Sequence, residues 1–185
     1  MFKAVLDLLA HKQLTFEDGS IKLLEQNVVM FPFENLYRIQ KIIEKSNRIN
    51  ELYLSAKELG KNWIESLFRV YKMDTIEEQA NWGEKVFSLA GMGKMRVVKW
   101  NVKDSTMVYR SFDSVIAKYY GKVGHAVCHI PRGWFAGASC VFFKKDVDAV
   151  EVDCLARGNK FCEFVVKPKC KFDFNNSLVR KQLRE

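Results

Sequence analysis

The chain has 185 residues, 48% of them apolar and 28% charged, with three prolines and a net charge of +8. That composition suits one sizeable hydrophobic core and excludes an intrinsically disordered chain. Five cysteines, an odd number, do not make a disulfide framework here, and no apolar run approaches membrane-spanning length.

At the start, Phe2 to Leu9 is too short for a secretory signal and carries Asp7 inside its apolar stretch, so a reducing, cytoplasmic setting is expected. Asp18-Gly19, flanked by Leu14, Phe16, Ile21 and Leu23, predicts a hairpin. Pro32 opens a helix whose stripe runs through Phe33, Leu36, Tyr37, Gln40 and Ile43. The helix over 49–72 has a wide apolar face, including Tyr53, Ala56, Gly60, Trp63, Ile64 and Leu67, opposite Lys57, Lys61, Glu65 and Arg69. A third helix starts at Thr75, with Glu78 at capping-box spacing, and runs to about Gly91.

After Gly93 the period changes. Met95–Val102 and Thr106–Phe112 read as strands joined by the turn Lys103-Asp104-Ser105. A short helix near Ser114–Tyr120 and a strand over Val123–Ile130 follow. Pro131 then opens a helix carrying Trp134, Phe135, Ala138, Val141 and Phe142. Gly133 and Gly137, four apart, leave a smooth strip on that helix for close backbone approach. Residues 149–154 and 161–166 form a last hairpin, with Gly158 and Asn159 in its turn. The whole is a single α+β domain over 1–185, mainly helical over 1–92 and sheet-containing over 93–170. A helical amino-terminal layer packs on an antiparallel sheet of about four to five strands.

Chemistry concentrates in the last third. Cys128, Glu151, Cys154 and Cys162 are separated by twenty-two, two and seven residues. Three thiols and a carboxylate supply a closed tetrahedral shell for zinc, with three donors drawn from one hairpin. The competing reading is that these cysteines are small apolar filler. His125 and His129 flank Cys128 and suggest a Cys-His nucleophile, but no third catalytic partner accompanies them. One histidine packing beside the site, or replacing Glu151 as ligand, is the simpler alternative. No phosphate loop, HExxH pair, GxSxG elbow or dinucleotide fingerprint is present.

The charge is uneven: residues 1–74 carry eleven Lys/Arg against ten Asp/Glu, and the excess lies later, including Lys167, Lys169, Lys171, Arg180, Lys181 and Arg184. Without a basic run or a DNA-binding motif, a solvated basic face is expected rather than a nucleic-acid partner.

Gly124, Cys128, the run Gly133-Trp134-Phe135-Ala136-Gly137, and Glu151-Val152-Asp153-Cys154 followed by Gly158 and Cys162 resemble the 4-vinyl-reductase domain, also described as a hydrocarbon-binding domain, over 121–166. The resemblance implies the ligand-binding fold shared with haem nitric-oxide sensors and transport-particle subunits. It also implies a structural zinc on Cys128, Glu151, Cys154 and Cys162, as in the family's sensor members. No histidine, His11 included, stands in a haem-ligand context. The expected function is binding of a small apolar or aromatic molecule, as sensor or carrier, with Trp100, Met107, Tyr109, Trp134 and Phe135 as candidate ligand contacts. A dimeric interaction module of transport-particle type, and an enzyme or accessory factor in tetrapyrrole vinyl reduction, are the alternatives. A two-fold homodimer is expected, because the helices at 32–45 and 49–72 offer more apolar stripe than one small sheet face requires.

Overall fold

The computed structural model describes residues 6, 9, 12–24, 26–73 and 75–183. His11, Arg184 and most of the stretch from Phe2 to Leu9 lie outside them. A three-stranded antiparallel sheet comes first: β1 (Leu14–Glu17), β2 (Ser20–Leu23) and β3 (Gln26–Val28). The expected hairpin turns at Asp18-Gly19, where Gly19 takes the positive φ of 76° that glycine tolerates. Strands therefore precede the helical layer. Gln26 ties this sheet to the helices by donating to Ser66 Oγ at 3.0 Å and to the Asn62 carbonyl at 3.1 Å.

Three helices follow: α1 (Phe33–Lys45), α2 (Ile49–Val70) and α3 (Ile76–Leu89). The capping box of α3 forms as the spacing predicts, with Glu78 N donating to Thr75 Oγ1 and Thr75 N donating to the Glu78 carboxylate. The second sheet has the order β4-β5-β7-β6, built from β4 (Met95–Asn101), β5 (Thr106–Ser111), β6 (Asp148–Asp153) and β7 (Cys162–Lys167), all antiparallel. Between β5 and β6 run α4 (Val115–Tyr120) and α5 (His129–Phe143), and α6 (Ser177–Leu183) closes the described chain. This is the α+β architecture that the residues predict, with four strands in the main sheet. Among the described residues no helix is long and apolar enough to cross a membrane.

The expected strand over 123–130 is not there. Val123 and Gly124 both donate their N–H to the Ala156 carbonyl, and the Val127 carbonyl is taken by the buried Gln40 side chain at 2.8 Å. With its backbone groups paired this way, and Gly124 at φ 78°, the segment is an irregular loop strapped across the metal-side end of the sheet. The next helix also starts earlier than Pro131, at His129. Pro131 falls in the first turn, where no intrahelical acceptor awaits its missing N–H.

α2 and α5 cross in the closest interhelical contact of the molecule. A Cβ on Gly137 would overlap the Lys57 carbonyl, one on Gly133 the Tyr53 carbonyl, and one on Gly60 the Trp134 carbonyl. The other face of α5 lies on the main sheet. There Phe135 stacks on Tyr109 at 4.5 Å and meets Phe164 edge-on at 4.9 Å. Strict alternation along β5 and β7 turns Met107, Tyr109 and Ser111, with Cys162, Phe164 and Val166, to that buried side.

Candidate metal centre

Each of the four predicted donors sits at the end of a different piece of local structure. Cys128 is the N-cap of α5, Glu151 lies within β6, Cys154 follows β6, and Cys162 opens β7. In a regular strand, residues three apart face opposite sides of the sheet. A register shift between Glu151 and Asp153 breaks that alternation, so Glu151 and Cys154 converge. The turn beyond is locked by Gly158 at φ 94° and by Asn159, which accepts from Cys154 N and donates to Asp153.

The four donor atoms lie within 4.8 Å of one another, and all four residues are buried. The Cys128 and Cys162 sulfurs are 3.6 Å apart, and those of Cys154 and Cys162 are 3.9 Å apart. All three are free thiols. A tetrahedral zinc with sulfur ligands at about 2.3 Å requires sulfurs roughly 3.8 Å apart, so the spacing fits. Glu151 Oε2 accepts from Cys128 N at 3.0 Å, while Oε1, equally buried, has no hydrogen-bond partner. An orphaned carboxylate oxygen facing three thiols is what a cation would satisfy.

Electrostatics agrees. Burial pushes the Cys128 thiol and the Glu151 carboxyl well above their usual ranges, each reinforced by its acidic neighbours. Hydrogen bonds from Cys128 and Cys162 pull Cys154 down instead. The cluster thus keeps most of its protons and concentrates one thiolate at Cys154. Full ionisation in this dry site needs a compensating positive charge. Two protein groups already lean that way: Leu155 N donates to Cys162 Sγ at 3.3 Å, and the positive end of α5 falls at Cys128.

Neither histidine joins the cluster. His129 Nε2 faces Glu44 Oε1 at 3.5 Å, and exposed His125 stands with Nδ1 3.1 Å from the Val123 carbonyl. Glu151 therefore keeps the fourth position, and no Cys-His pair forms. Three supporting residues escaped the sequence reading. Ser114 Oγ lies 3.4 Å from Cys128 Sγ, and its only sequence signal is as N-cap of α4. Gln182 of α6 clasps the Glu151 backbone with two 2.8 Å bonds, donating to its carbonyl and accepting from its N–H. Arg132, 1% exposed, lies against the Tyr53 ring at 4.0 Å and feels the Glu151 charge. A lone arginine on an apolar helix was its available clue.

Among the five candidate ligand contacts, the structure brings four together. Met107, Tyr109 and Phe135 are fully buried, and Trp134 packs on Phe135 and Phe87 at 5.8 and 5.5 Å. Tyr109 Oη is 2.8 Å from Ser139 Oγ. Trp100 pairs with Met107 across the β4–β5 ladder but is 37% exposed at the sheet edge.

With this geometry in hand, the likeness to known proteins is specific. Residues 107–168 match the vinyl-4-reductase domain family, which starts the resemblance at Met107 rather than Gly121. An uncharacterized protein of Methanocaldococcus jannaschii is 28% identical over 116 residues, covering 63% of this chain and 62% of that protein. The phenol-responsive sensory domain of the transcription activator PoxR, solved with phenol, superposes with a TM-score of 0.79 at 16% identity, covering 100% of this chain and 98% of that one. A vinyl-4-reductase family protein from Methanocaldococcus jannaschii gives 0.52 at 18% identity, over 76% of this chain and 83% of that one. A trafficking protein particle complex subunit 3 from Naegleria fowleri, covalently bound to palmitic acid, gives 0.53 at 13% identity, over 72% and 93%. At these identities the solved structures establish a shared fold.

Proposed function

We propose that this chain binds a small apolar or aromatic molecule, as sensor or carrier, and is held in shape by a structural zinc on Cys128, Glu151, Cys154 and Cys162. The observation that carries this reading is the attachment of the aromatic layer to the metal cluster. α5 starts beside Cys128 and presents Phe135 two turns later, while β7 opens at Cys162 and presents Phe164 two residues later. Metal that fixes Cys128 to Cys162 therefore fixes the register of the layer formed by Met107, Tyr109, Trp134 and Phe135. Trp100 stands at the outer end of that layer. PoxR and the Naegleria subunit, which hold phenol and palmitic acid, support an apolar guest in this fold.

Four protein donors leave zinc no open position for substrate or water, so its role is structural. Five unpaired thiols suit a reducing, cytoplasmic setting. The test is titration of the zinc-loaded protein with phenol, followed by tryptophan emission and melting temperature, since a ligand of the folded state raises Tm. Saturable change is expected. Trp134→Ala should weaken it at least tenfold with zinc content intact, and Trp134→Phe should keep most of it. A Trp134→Ala variant that binds as the parent does, or no saturable response, overturns the reading.

Assembly through the helices is a second reading, favoured by the exposed Ile39 and Ile42 of α1 and Leu54 and Leu59 of α2. A homodimer across that face is compatible with ligand binding in each subunit.

A further inference from the structure

We propose that the cleft beside the first turn of α5 is a second binding site, for a small organic anion with a carboxylate or phosphate head on an apolar body. The cleft has a volume of about 650 Å³, within the range of small-molecule sites. It shares no residue with the aromatic layer, and none of the clustered thiols lines it.

Three cations line it, each from a different element: Arg132 of α5, Arg157 of the 3-10 turn Leu155–Arg157, and Lys181 of α6. None of the three has a carboxylate partner among the described residues. Arg132 Nη1 donates to the carbonyls of Gln182 and Ala149, at 2.6 and 3.3 Å, and its buried Nε has no acceptor. Arg157 Nη1 donates to the Val152 carbonyl at 3.0 Å. Carbonyl oxygens satisfy hydrogens but do not neutralise charge, so a positive field persists in a partly dry cleft. Arg132 also feels the Glu151 carboxylate, but Arg157 and Lys181 have no such counterweight.

The one acidic residue of the lining is already committed. Glu44 accepts from Tyr120 Oη at 2.7 Å and stands 3.5 Å from both Lys41 Nζ and His129 Nε2. Ile49, Ala126, Val152 and Leu178 complete the wall and give an apolar body something to cover. An inorganic ion would leave that surface bare. The geometry therefore selects an amphipathic anion.

The experiment is calorimetric titration of the zinc-loaded full chain with benzoate, phenyl phosphate and benzyl alcohol. At least one anion should bind saturably and at least tenfold more tightly than the neutral alcohol, and the ratio of the two anions identifies the head group. The Arg157→Ala/Lys181→Ala double variant should lose at least tenfold in anion affinity while keeping its metal content. Lys181→Ala alone, which leaves the metal hairpin untouched, should lose part of it. Equal binding of the alcohol, an unaltered affinity in the double variant, or no saturable binding of either anion overturns the proposal.

Discussion

Serine at Cys154 would leave three donors around a cavity shaped for four, and would remove the one sulfur that the cluster holds as thiolate. Breaking a buried charge network at one partner costs roughly 3–5 kcal/mol. At about 2–4 °C per kcal/mol for a chain of this size, Tm should fall by on the order of 10 °C. Metal analysis of protein purified without added zinc should give close to one zinc per chain for the parent and a clear deficit for Cys154→Ser. Parent-like metal content in the variant would reject the ligand set. The four ligands were legible because residue type and spacing survive in the sequence. Ser114, Arg132 and Gln182 were not, because their roles depend on which elements meet. Gln182 lies 31 residues from the Glu151 backbone that it clasps, and no local pattern marks it.

Elements that carry their own instructions were readable. The Asp18-Gly19 turn, the Thr75 cap and the Gly133–Gly137 strip all appear where local chemistry placed them. The segment 123–130 misled because its apolar residues suit a strand, while its carbonyls and amides are claimed by Gln40 and Ala156 from distant parts of the chain. The β6 bulge was equally invisible, although it is what aims Glu151 and Cys154 at one point. For the α2–α5 crossing the expectation is sharp. Gly137→Ala adds one methyl against the Lys57 backbone, which cannot swing away as a side chain would. Overpacking of this kind costs on the order of 3 kcal/mol. Chemical denaturation should show a lower midpoint for Gly137→Ala, and a midpoint equal to the parent's would mean that the helices part at little cost.

For the whole molecule, fold class followed from the switch between helical and strand periods near Gly93, and the main sheet has the predicted four strands. The separate amino-terminal sheet was only half seen, since β3 is three residues long and carries little pattern. The helical layer keeps its apolar outer face: Ile42 is 64% and Leu54 51% exposed. If that face pairs with a second copy, Ile42→Glu should convert a dimer to a monomer in light scattering at micromolar concentration, without loss of zinc. A parent protein already monomeric under those conditions would exclude the pairing.

The donor spacing also sets an order of events during folding. Cys154 and Cys162 close a loop of eight residues, whereas Cys128 and Cys162 close one of thirty-four. Two doublings of loop length add only about 1.2 kcal/mol of closure entropy. Chain length is therefore a minor obstacle, and the late step is formation of α5's first turn, which presents Cys128. A metal ion caught early by the hairpin then acts as an anchor on which the helix docks. Refolding in the presence of zinc should be faster than refolding in chelator followed by zinc addition. The protein would use its metal as a folding nucleus as well as a clamp on the finished structure.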